Sequence, residues 1–277
     1  MRIRSPWSTF LAVSCLAMLL LSACKPAPQE GASNGDPGGL PLQDTNNYAG
    51  YAVDDLEALE QLASPRPFAS GTWTVPTVSC VPGYRTEVSM WLGLGGGVNA
   101  PLEQVATTSG CDVFGKPNHQ ANYQMLGTPE GNEAQTIDDC EGQPCPVEAG
   151  DKMAGSVIYE GAGTYYLSLK NLTRGWNYGT FHSGNSDKSA WRSAFWILEA
   201  VTRGGNIVAL SNFGEATFSQ CQTNFGAMGD HRITKIHRYQ ITPALVNPHR
   251  AVPSQLTESG LTENYRWNDF TIGWRVA

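Results

Sequence analysis

The sequence predicts an all-β domain, a sandwich or barrel of short strands. Three observations predict it. Apolar and polar residues alternate in short β-rich runs, Gly, Pro, Asn and Asp separate those runs, and no run holds a helical period for the length of a core helix. In order, the strands are expected at "FASGTWTVPTV" (68–78), "TEVSMWLGL" (86–94), "LEQVATT" (102–108) and "QANYQML" (120–126). "KMAGSVIYE" (152–160), "TYYLSLKNL" (164–172), "WNYGTF" (176–181), "RSAFWILEA" (192–200) and "NIVALSNFGEATF" (206–218) follow. "RITKIHRYQI" (232–241) and "DFTIGWRV" (269–276) close the series.

The N-terminus reads as a targeting segment. Arg2 and Arg4 precede an apolar run from Phe10 to Leu21 that is short for a membrane span and ends in Leu21-Ser22-Ala23-Cys24. That small-residue site ending in Cys resembles a bacterial lipobox, so residues 1–23 are expected to be a lipoprotein signal peptide. Cys24 is then the lipidated residue, a lipid anchor in the membrane. Lys25 after it points to the outer membrane of a Gram-negative cell envelope. Residues 24–50 are rich in Pro, Gly, Ser and Asn and read as a flexible tether. Residues 51–67 space Val53, Leu56, Leu59 and Leu62 three apart, as a short helical or pro-like segment. Residues 68–277 are left as one β-sandwich domain.

The net charge is −7, and loss of Arg2 and Arg4 with the leader makes it more negative. With no Lys/Arg cluster either, nucleic acid is excluded as a partner. The seven cysteines fit an oxidising compartment. With Cys15 and Cys24 set aside, Cys80, Cys111, Cys140, Cys145 and Cys221 allow two bridges within the chain. Cys140 and Cys145, closing "CEGQPC", are the first pair expected. The His spacing suits no zinc site, so no metal or other cofactor is expected. "GLGGG" (93–97) lacks the Lys-Ser/Thr of a phosphate loop and reads as a turn or a close backbone approach.

Several stretches in order, across residues 68–277, resemble the eqolisins or glutamic peptidases, in particular their bacterial members. "GTWTVPTV" (71–78) resembles the family's opening strand. "MWLGLGG" (90–96) resembles its Trp-Val-Gly-Ile-Asp-Gly segment, and "LEQVATTSG" (102–110) its strand bearing the catalytic Gln. Residues 147–176 resemble a Pro-Gly-Asp turn, a hairpin and a Thr-Gly-Trp turn. "RSAFWILEA" (192–200) resembles Ser-Ala-Glu-Trp-Ile-Val-Glu, whose last Glu is catalytic, while "LSNFGEATF" (210–218) and "FTIGW" (270–274) complete the series. The resemblance implies an antiparallel two-sheet β-sandwich of the jelly-roll, concanavalin-like kind. It further implies a monomeric endopeptidase acting on polypeptide substrates at acidic to mildly acidic pH. Glu199 is the implied general base and Gln104 the implied oxyanion donor, with no covalent intermediate.

Period-2 parity supplies the expected groove. Trp91 and Gly93 share a face, as do Leu102, Gln104 and Ala106; Gln120, Asn122 and Gln124; and Phe195, Ile197 and Glu199. Trp91, Gln120, Asn122 and Gln124 are therefore the expected substrate-binding residues. Gly95, Gln124 and Phe195 stand where the family carries carboxylates. Fewer like charges around Glu199 are expected to leave its pKa less elevated. The competing reading is a non-catalytic, lectin-like binding module, because a sandwich does not by itself fix a function.

Overall fold

Eighteen strands and no α-helix make up the described residues of the computed structural model, which are 40–54, 66–95, 101–128, 131, 133–187, 190–224, 226–227, 235–242, 249–255 and 268–276. The expected signal peptide, Cys24 and most of the expected pro-like segment lie outside them. The strands are β1 (Leu42–Thr45), β2 (Tyr48–Val53), β3 (Phe68–Thr74), β4 (Thr86–Gly95), β5 (Leu102–Cys111) and β6 (Pro117–Leu126). Next come β7 (Gln135–Thr136), β8 (Lys152–Gly161), β9 (Thr164–Asn171), β10 (Trp176–Ser183), β11 (Ser193–Glu199) and β12 (Thr202–Arg203). The last are β13 (Asn206–Ile207), β14 (Glu215–Thr223), β15 (Gly226–Ala227), β16 (Ile236–Ile241), β17 (His249–Pro253) and β18 (Phe270–Val276).

Hydrogen bonding runs in one path, β10-β9-β8-β3-β14-β18-β17-β16-β2-β11-β4-β5-β6-β7, with β12–β13 a separate hairpin. Every neighbour is antiparallel except β1, which lies parallel to β16. The expected division into two separate sheets therefore gives way to one ribbon folded on itself. Its halves stay joined through β16 and β17, which share only the Ile241–Ala251 pair.

Alternation drives the folding-over. On β4, Val88, Met90, Leu92 and Leu94 are at most 1% exposed and face the interior, as do Ala194, Trp196 and Leu198 on β11. Two buried indoles between the halves are paired, as burial favours. Trp196 donates its indole N–H to the Ser70 carbonyl (2.9 Å), and Trp73 donates to Thr107 Oγ1 (2.8 Å). A Cβ on Gly155 would lie 3.0 Å from both the Trp73 ring and Val105, so glycine lets the halves close.

Two expectations need correction. Residues 24–50 do not end as a tether, and 51–67 do not start as a helix. β1 and β2 belong to the sheet, and β2 sits between β16 and β11 with Ala49, Tyr51, Ala52 and Val53 fully buried. Tyr51 justifies its burial by donating its hydroxyl to the Ser254 carbonyl at 2.8 Å. The strand expected at 206–218 is split into β13 and β14. Between them Leu210 and Asn212 make only isolated bridges, and Gly214 takes a left-handed φ of 63°. Cys140 and Cys145 are bridged, and so are Cys80 and Cys111, leaving Cys221 a buried thiol.

Candidate active site

The strand faces opposite the core make a cleft of about 1000 Å³. Trp91, Leu102, Gln104, Gln120, Asn122, Gln124, Phe195, Ile197 and Glu199 all line it, so parity placed these side chains on the right face. Glu199 ends β11 and is partly open to the cleft. Both its oxygens are held. Asn47 donates its amide N–H to Oε1 and Trp91 its indole N–H to Oε2, each at 2.8 Å. Each oxygen keeps a lone pair for a further donor. Burial pushes the Glu199 carboxyl up to about 7, against the lowering effect of the Trp91 hydrogen bond. The lost family acids were expected to leave it less elevated. Desolvation alone is enough to raise it.

Gln104 is not opposite Glu199. Cross-strand register sets Glu199 beside Ser89 and Ser89 beside Thr108, whereas Gln104 lies beside Gly93 and Gly93 beside Phe195. Gln104 is thus displaced from Glu199 by two strands and four residues, about 10 Å across and about 13 Å along the sheet. It donates its amide to Gln124 Oε1 at 2.8 Å, away from Glu199. The implied Gln104–Glu199 pair shares a cleft and a face, but not a row. Gly93 explains the tight spacing there, since a Cβ would fall 2.3 Å from the Glu103 carbonyl oxygen.

The row that does face Glu199 runs Tyr48–Glu199–Ser89–Thr108–Gln120. Asn122 donates to Thr108 Oγ1 at 2.9 Å, and Thr108 in turn points its hydroxyl to Ser89 Oγ at 3.3 Å. That chain turns the Thr108 proton toward the Glu199 side. Gln120 lines the cleft half-exposed, and its amide makes no hydrogen bond to a described residue. Of the four expected substrate-binding residues, Gln120 alone offers an uncommitted amide. Trp91 is only 6% exposed and is committed to Glu199, packed on Ala106 and Ile197. Asn122 is 3% exposed and committed to Thr108, and Gln124 to Gln104.

Sequence reasoning missed Asn47, Ser89, Thr108, Tyr48 and Tyr239. The last two meet edge to face, with ring centroids 5.2 Å apart, beside the Glu199 row. It also missed Glu103, next to Gln104 on the opposite face. Glu103 is fully buried, Oε2 has no hydrogen-bond partner among the described residues, and burial raises its carboxyl to about 8. At neutral pH it is carried protonated, as an acid in an apolar interior must be unless paired.

The sequence profile described as the Peptidase A4 family matches residues 47–245, from the donor Asn47 past Glu199. Among solved structures, scytalido-glutamic peptidase with a transition state analog inhibitor is 16% identical. It covers 84% of this chain and 98% of that chain, with a TM-score of 0.55. SCP-B, a member of the eqolisin family of peptidases in a complex with the tripeptide Ala-Ile-His, is 16% identical. It covers 83% of this chain and 98% of that chain, with a TM-score of 0.54. At these identities the likeness establishes the fold. No curated protein sequence matches the chain.

Proposed function

The chain belongs to the Peptidase A4 family and is a glutamic-type peptidase, and from that premise we propose that Glu199 works with the Thr108–Gln120 row rather than with Gln104. Glu199, as carboxylate, holds a water and takes its proton while the water oxygen attacks the scissile carbonyl carbon. The resulting oxyanion accepts hydrogen bonds from the Gln120 amide and from the Thr108 hydroxyl, whose one proton turns to it from Ser89 Oγ. Glu199 then gives the same proton to the leaving nitrogen as the carbon–nitrogen bond breaks, which regenerates the carboxylate. Trp91 and Asn47 position that carboxylate through the cycle. The observation that carries this reading is the Glu199 carboxylate, held at both oxygens and in register with Thr108 two strands across and with the uncommitted Gln120 amide three strands across.

The pH dependence follows from the direction of the Glu199 shift. A base must be ionised, and a carboxyl raised to about 7 is ionised only as pH climbs to neutral. We therefore place the working range near neutral rather than at the acidic pH the resemblance implied.

Incubating the purified chain with unfolded casein between pH 5 and 9 tests the reading. New amino termini are expected by mass spectrometry, in yields unaffected by serine- and cysteine-directed reagents. Peptide binding without new termini would favour the binding-module reading instead.

A further inference from the structure

The hairpin β12–β13 brings one guanidinium to the cleft. Thr202 pairs with Ile207 and Arg203 with Asn206, and the turn between them uses Gly204 and Gly205 at φ of 54° and 80°. Residues 201–205 line the cleft. Arg203 donates its Nε to Glu87 Oε2 at 2.8 Å. Glu87 is 5% exposed and lies on the same face of β4 as Ser89 and Trp91, two residues beyond the Glu199 row. On the same face of a strand that step is about 7 Å.

Glu87 is already held by another cation. Arg85 donates Nε and Nη2 to Glu87 Oε1, at 3.0 and 2.6 Å. Two guanidiniums therefore share one buried carboxylate, and the triad carries one net positive charge. Arg203 is 43% exposed at its side chain, and its terminal nitrogens donate to no described residue. The remaining charged groups on the described cleft lining are the carboxylates Glu133 and Glu199. A fixed, excess cation at one end of the cleft of an acidic chain is chemistry aimed at an anion.

We infer that Arg203 forms a subsite for a carboxylate of the peptide substrate, one or two residues from the bond cut at Glu199. This deepens the peptidase reading and rests on it. The carboxylate can come from an Asp or Glu side chain or from a free C-terminus, and the two sources separate experimentally. Nε pinned to Glu87 orients the guanidinium, so its two outer N–H groups meet the carboxylate as a fork. Glu87 stays paired to Arg85 when Arg203 is changed, so the variants do not strand a buried charge.

The test uses quenched peptides with amidated C-termini, carrying Glu or Gln at each position around one cut site. A matched Gln series has free C-termini at stepped distances. At one position kcat/KM is expected to favour Glu over Gln by about 5- to 20-fold, chiefly through KM, as fits a charge-assisted contact that is half open to water. A preference confined to the free-C-terminus series would assign the same site to chain ends. Arg203→Gln is expected to bring the ratio near one, Arg203→Lys to retain part of it, and Arg203→Glu to favour Lys in its place. Arg85→Gln, which removes the second cation from Glu87 but leaves the Arg203 fork in place, is expected to lower the ratio only in part, and less than Arg203→Gln does. A ratio within twofold of one at every position and in both series, or one lost equally in Arg85→Gln, would overturn the subsite. Equilibrium binding of the Glu and Gln peptides to the Glu199→Gln protein reads the subsite without turnover. A retained binding preference with no cleavage by the unaltered chain would count against the peptidase reading alone.

Discussion

Glu199→Gln is expected to lower kcat by about 10²–10⁴, with KM changing far less. The substitution keeps the shape of the side chain but removes the group that takes and returns the proton. It also changes the hydrogen bonding around it. Asn47 and Trp91 both donate to the carboxylate, whereas a primary amide offers only one oxygen to accept. Part of the loss could then come from a displaced Trp91, so the thermal midpoint of the variant has to be measured beside its rate. A rate loss of this size with an unshifted midpoint assigns the effect to chemistry. Unchanged turnover would make Glu199 a strand-end carboxylate and nothing more.

The second large effect separates two residues that the sequence alone could not separate. Gln120→Ala is expected to cost about 10²–10³ in kcat, the usual consequence of deleting one oxyanion donor. Thr108→Val, which keeps the shape of the side chain and removes its hydroxyl, is expected to act on the same intermediate. The double variant should therefore lose much less than the product of the two. Gln104→Ala is expected to cost less than about tenfold, because Gln104 lies two rows along the sheet from Glu199 with one amide N–H given to Gln124. If Gln104→Ala proves the more damaging change, the pairing with Glu199 implied by family resemblance is right and the row assignment is wrong.

The reason lies in what alternation can and cannot encode. Period 2 tells which face a strand residue takes, and it set Gln104, Gln120 and Glu199 on the cleft face. Register is a different quantity. Moving from Gln104 to Thr108 keeps the face but slides about 13 Å along the strand, and nothing in "LEQVATTSG" marks which residue meets Ser89. β2 was illegible for another reason. "YAGYAV" has two tyrosines, two alanines and a valine to bury, and it follows a stretch of Pro, Gly and Asn that outweighs it. Its burial is earned by partners distant in sequence, β11 and β16, so Asn47 was hidden with it. The disulfides divide along the same line. The short loop closing Cys140 to Cys145 could be read directly, while Cys80 and Cys111 are joined by a fold that brings the connection before β4 to the end of β5.

The central claim, that a partly buried Glu199 held by Trp91 is the base, is tested most directly by the pH profile of kcat/KM on one quenched peptide. That profile reports groups of the free enzyme. With the carboxyl raised to about 7, kcat/KM should rise about tenfold per pH unit through the acidic range and level near neutral. Trp91→Phe removes the hydrogen bond that favours the ionised form, so its rising limb should move to higher pH. A profile already level at pH 5, or a limb that Trp91→Phe leaves in place, would contradict the account.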